Sequence, residues 1–165
     1  MPKGFPPIAA PDARVLILGT MPSETSLVKR QYYGYGTNAF WPIVYALWNE
    51  PYEEDYEKRC RFLLEKRIAL WDVLAVCDRP GSADAAIRHP EPNDFGAFAA
   101  SHTEIERLFF NSANAASFYL RLVKPDPFAG LGRETLPSTS PARAMRFADK
   151  LARWQPVRRF LEENG

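Results

Sequence analysis

Histidine and cysteine are almost missing from this chain of 165 residues, which has only His89, His102, Cys60 and Cys77. Two cysteines build neither a disulfide framework nor a metal cluster, and metal ligands at useful spacing are absent. With both histidines outside the loops that hold its serines, the chain offers no Ser-His-Asp set. It also lacks a Gly-rich phosphate loop, because the "GTMPS" of residues 19–23 is neither a P-loop nor G-x-G-x-x-G. No apolar run approaches the ~18 residues of a membrane span, and the opening "MPKGFPPIAAPDA" has no signal-peptide core, so a soluble, cytoplasmic protein is expected. Excess charge of one sign is missing as well: 21 Lys and Arg stand against 20 Asp and Glu, and bulk electrostatics do not announce a nucleic-acid binder.

What remains is ordinary globular composition, 46% hydrophobic and 25% charged, in a length that suits one domain over residues 1–165. "RVLIL" (Arg14 to Leu18) is a short β-branched run ending at Gly19, as a buried parallel strand would. Ala39 to Asn49 carries helically spaced apolar residues with Pro42 in the first turn, and Asp55 to Lys66 reads as a second helix. Ile68 to Leu74 is a second strand, and "PGS" at 80–82 interrupts regular structure beyond it. A short helix spans Asn93 to His102, a third strand Arg107 to Phe110, and a helix capped by Ser112 runs to Lys124. "ETLPSTSP" supplies a fourth strand and a loop. Ser140 then caps a helix to about Trp154, and a last short helix closes the chain.

Strands alternating with helices predict a three-layer α/β/α sandwich around a mainly parallel, four-stranded sheet. Sites in such sheets lie beyond the carboxyl ends of the strands, which gathers "GTMPS", "WDV", "FFNS" and "LPSTSP" at one edge. The side chains collected there are hydroxyls, amides and aromatics, suited to phosphate and a planar polar ring rather than to a strong nucleophile. Between residues 133 and 159 seven cations face two carboxylates, a candidate phosphate-facing patch or simply a solvated helix face. Trp41, Trp48 and Trp71 read as core.

"LGTMPSETSLVKRQYYGYGTNAFWPI" and the downstream "LPSTSPARA" resemble the uracil-DNA glycosylase superfamily, most nearly its hypoxanthine-DNA glycosylase branch. "WDVL", "RPGSADAAI" and "LFFN" fall where that branch places similar segments, so the resemblance spans Val15 to about Arg146. It implies DNA as substrate and hydrolytic removal of a deaminated base by a monomer, with neither metal nor cofactor. Other branches place Asp or Asn two residues after the first glycine to position water; Met21 stands there and cannot. The resemblance moves catalysis to Asn38 of N-x-F-W and gives base binding to Tyr33 (stacking), Asn111 (edge reading), Phe40 and Met21. Contacts to DNA phosphates fall to Ser23, Ser138, Thr139, Ser140 and Arg143, although the branch carries asparagine where Arg143 stands.

The chemistry is coherent by itself. Cleaving an N-glycosidic bond passes through an oxocarbenium-like sugar, so positioned water and donors to the departing base are what count. An amide is too weak a base to deprotonate water; Asn38 would orient it through its carbonyl oxygen. The same oxygen is equally suited to capping the helix that begins just after it. Asp72 would orient water or hold a loop, and Ser82 and Asp84 look like a helix-start pair. Two alternatives stay open: a glycosylase preferring uracil, and a non-catalytic nucleic-acid-binding domain of the same fold.

Overall fold

The computed structural model describes residues 2–163. In chain order its elements are β1 (Val15–Gly19), α1 (Glu24–Lys29), α2 (Phe40–Leu47), α3 (Tyr56–Glu65), β2 (Ile68–Asp72) and β3 (Leu74–Asp78). A 3-10 turn (Asp84–Ala86) leads to β4 (Arg88–Pro92), α4 (Phe95–Ser101), β5 (Arg107–Asn111), α5 (Ala113–Leu122), β6 (Gly132–Leu136) and α6 (Phe147–Glu163). The expected four-stranded sheet is present, wholly parallel, in the order β2-β1-β5-β6. Its inner strands are apolar on both faces because both are covered. Leu16, Leu18, Trp71, Leu108 and Phe110 meet α4 and α5 on one side; Val15, Ile17, Leu70 and Phe109 meet α2, α3 and α6 on the other. Among the described residues no helix is long and apolar enough to cross a membrane.

Three local readings are corrected. Residues 68–74 are not one strand. After Asp72 the chain turns so that Val73 N–H donates to Gly19 O and Leu74 N–H to Thr20 O, and β3 then pairs antiparallel with β4 in a separate hairpin. No sequence signal announced this hairpin, since β4 contains two prolines and is almost fully exposed. The helix start at Ser140 also fails: 141–145 form tight turns, and α6 begins at Phe147. It then runs unbroken through Pro156 to Glu163, so the separate last helix expected after Trp154 is part of α6; the missing N–H of Pro156 is offset by buried Trp154, Val157 and Leu161. Finally, α1 was unanticipated, being six residues long; Ser23 caps it by accepting Ser26 N–H.

Candidate active site

The carboxyl ends of the four parallel strands open into one cavity of about 830 Å³. Gly19 ends β1 directly beside Asp72, its ladder partner at the end of β2. Their proximity to Tyr33 explains the glycine: a Cβ at residue 19 would lie 2.6 Å from Asp72 Oδ1 and 2.7 Å from Tyr33 Oη. Two oxygens therefore converge over a bare backbone. Tyr33 reaches in from a left-handed backbone position (φ 54°), which costs a non-glycine residue of order 1 kcal/mol or more and marks a constrained segment. Its ring stacks on Phe40, centroids 4.3 Å apart. Its hydroxyl is buried with no hydrogen-bond partner among the described residues. Burial, and next the Asp72 charge, push that phenol's pKa upward, and the Asn111 amide opposes them.

Asn38 lines the cavity, just ahead of α2. Its Oδ1 accepts Phe40 N–H at 2.9 Å, so the capping role is real, although Ala39 rather than Asn38 occupies the cap position itself. An amide oxygen has two lone pairs, and the bond to Phe40 fixes the orientation of the second. Met21 also lines the cavity, while being 8% exposed and part of the core. Phe40 does not reach the cavity. It is fully buried behind Tyr33, between Trp41 and Trp154, and supports the Tyr33 ring from behind.

Asn111 is engaged by the second motif. Its Oδ1 accepts Thr139 N–H at 3.0 Å and its Nδ2 donates to Thr139 Oγ1 at 2.9 Å, which leaves one N–H and one lone pair, with the Tyr33 hydroxyl near enough to feel the amide. Thr139 lines the cavity but is 1% exposed, and its carbonyl takes Ala39 N–H, so it braces three segments. Ser138 and Ser140 shape the turn by accepting the N–H groups of Ser140 and Ala142. Ser23, used as the α1 cap, lies at the same rim. Arg143 is exposed and lines the cavity, free to meet a phosphate.

The basic run of 133–159 is not one patch. Arg133 pairs with Asp126 away from the cavity, and Arg146 with Asp149. Lys150 is 4% exposed and donates to Ser140 O at 2.9 Å; burial, and next the neighbouring Arg143 charge, lower its pKa.

Sequence reading missed the far rim, residues 82–85. Buried Arg79 binds the carbonyls of Pro22 and Gly81 and lies 3.7 Å from Asp84, while Ser82 Oγ accepts Glu24 N–H. The segment is thereby fastened to the loop after β1. An arginine after an edge-strand pattern gives no sign of being a buried clamp. Burial raises the pKa of Asp84, against the Thr20 hydroxyl, Arg79 and Asn114.

The same arrangement of chain and fold occurs among known proteins. No family model matches the chain. A hypoxanthine DNA glycosylase of Methanosarcina acetivorans is 34% identical over 158 residues, covering 94% of this chain and 96% of the relative. One of Methanosarcina barkeri is 31% identical over 117 residues, 70% of this chain and 74% of that protein. The chain belongs to the hypoxanthine DNA glycosylase family. A solution NMR structure from M. acetivorans, described as a candidate uracil DNA glycosylase, shares the fold with a TM-score of 0.82 at 34% identity, over 97% of this chain and 98% of that one. As a DNA glycosylase, a hydrolase of N-glycosyl bonds, the protein presents amides, hydroxyls and three tyrosines, Tyr32, Tyr33 and Tyr35, at the strand ends, with Asp72 and Asp84 as the carboxylates that line the cavity beyond Glu24.

Proposed function

We propose that the protein turns hypoxanthine out of deoxyinosine-containing DNA into this cavity and hydrolyses its N-glycosidic bond, leaving an abasic site. The observation that carries the reading is the convergence of Tyr33, Asn38 and Asn111 on one cavity at the strand ends, in a chain whose relatives bear that name. The flipped ring lies against Tyr33, and the remaining amide N–H of Asn111 meets an acceptor on its edge. The second lone pair of Asn38 Oδ1 directs water at C1′; this is positioning, worth its effect through orientation rather than basicity. Arg143 meets a flanking phosphate. A monomer suffices, since every group named comes from one chain.

The test is excision from duplex oligonucleotides carrying inosine, uracil, xanthine or no lesion, read by alkaline cleavage at abasic sites. Inosine is the expected substrate. Cleavage of uracil with none of inosine would give the enzyme to uracil instead, and DNA binding without any excision would leave a binding domain. In the same assay Asn38→Ala lowers single-turnover excision by at least ~100-fold, the scale for losing a positioned polar group, with DNA affinity nearly unchanged. A variant as fast as wild type removes Asn38 from catalysis.

A further inference from the structure

Asp72 is the one carboxylate at the strand ends to which the proposed mechanism gives no work. It is 4% exposed, lines the cavity, and has a buried Oδ2 with no hydrogen-bond partner among the described residues. The loop role open to it is carried by its backbone: Asn93 Nδ2 donates to the Asp72 carbonyl, not to the side chain. A buried polar atom that the fold leaves unmatched calls for a partner, and the residue that carries it lines the cavity.

We propose that Asp72 is a second catalytic residue, the acid that hands a proton to the imidazole edge of the departing purine. The inference rests on the glycosylase reading and goes beyond it. The C1′–N9 bond breaks with both electrons passing to the base, N7 takes the Asp72 proton, and the oxygen of water closes on C1′. The proton that water sheds returns to the Asp72 carboxylate, which restores the acid and balances the hydrolysis. A purine carries a basic N7 for this purpose, and protonating it turns the base into a neutral leaving group.

The surroundings favour the acid form. Tyr33 and Tyr32, from the loop before α2, are neutral phenols whose pKa values burial and the Asp72 charge raise further. Asp84, on the 3-10 turn, repels a second negative charge, and Arg79, after β3, opposes it without a direct bond to Asp72. Burial first, then Asp84, push the carboxyl up to about 7, so a proton is both present and transferable near neutrality.

Two substrates and one near-isosteric variant test this. Asp72→Asn keeps a hydrogen-bond donor but has no proton to give, so inosine excision falls by about 100-fold or more, the usual span of general acid catalysis, with DNA affinity retained. Wild-type excision declines above about pH 7, whereas the residual rate of the variant does not share that decline. On 7-deaza-deoxyinosine, which lacks N7, wild type and variant become equally slow. The proposal is overturned if the variant excises inosine within about threefold of wild type, if the wild-type rate climbs through pH 7 as a water-activating base requires, or if the two proteins differ on the 7-deaza substrate as much as on inosine. Thermal unfolding of the variant checks that it folds; should it not, the wild-type pH profile and the wild-type rate on 7-deaza-deoxyinosine decide alone. Wild type that cannot excise inosine at all refutes the functional reading and this inference together, while any of these three outcomes refutes the inference only.

Discussion

At the scale of single residues, the cavity floor trades stability for readiness. Asp72 has a folded pKa of about 7 against 3.8 when unfolded, so between those values the native state holds a proton that the unfolded chain has released. Stability from this group therefore falls as pH rises from about 4 to about 7 and is flat above, a loss on the order of 4 kcal/mol at most. Asp72→Asn abolishes that loss. Urea unfolding at pH 8 is expected to show the variant more stable than wild type by up to a few kcal/mol, and much less so at pH 4. Equal stabilities at both values would mean that Asp72 is matched in the native protein. Gain of stability with loss of excision is the signature of a group kept for chemistry. Tyr33, held in left-handed backbone with an unmatched hydroxyl, carries a similar cost in stability.

At the scale of elements, the second motif works as a brace. The Asn111–Thr139 pair ties the end of β5 to the loop after β6, Thr139 O ties that loop to the start of α2, and Lys150 ties it to α6. Asn111→Ala leaves the buried Thr139 N–H and hydroxyl unmatched, and unfolding free energy should drop by about 1–3 kcal/mol. A neutral result in chemical denaturation would show that solvent replaces the pair. β1, β2 and β5 were legible because buried parallel strands read as apolar runs, whereas polar β6 was legible only at its end, within "ETLPSTSP"; the cap at Ser112 was legible because a side-chain oxygen precedes the helix by a fixed spacing. The β3–β4 hairpin and the start of α6 were not legible: the first depends on bonds to distant Gly19 and Thr20, and before the second the chain is held in turns, with Lys150 of α6 bonded back to Ser140. Convergence of the four loops was legible from topology, but which of their side chains face inward was not. Phe40 looked like a base contact but lies buried behind Tyr33, and Thr139, though in the cavity lining, is almost wholly buried, because burial belongs to the tertiary structure and not to the motif.

At the scale of the molecule, near-neutral net charge leaves affinity for DNA to a few local cations. Arg143 sits at the rim, whereas Arg133 and Lys150 are spent inside the fold. Arg143→Ala should weaken binding to lesion and undamaged duplex alike and reduce the slope of log affinity against log salt by about one unit. An unchanged slope would assign the phosphate contact elsewhere. The parallel ladder has a wider consequence. Gly19 faces Asp72 and Asn111 faces Leu136 across hydrogen-bonded strands, so the spacing of the strand ends is set by backbone geometry, about 4.8 Å from each strand to the next. The ladder holds that pitch whatever the side chains, but the occupants of the ends are coupled: a side chain at Gly19 would displace Asp72 and Tyr33, and Asn111 is paired with Thr139. A protein engineer working on such a frame would treat each terminus as a socket of fixed pitch and exchange neighbouring occupants together.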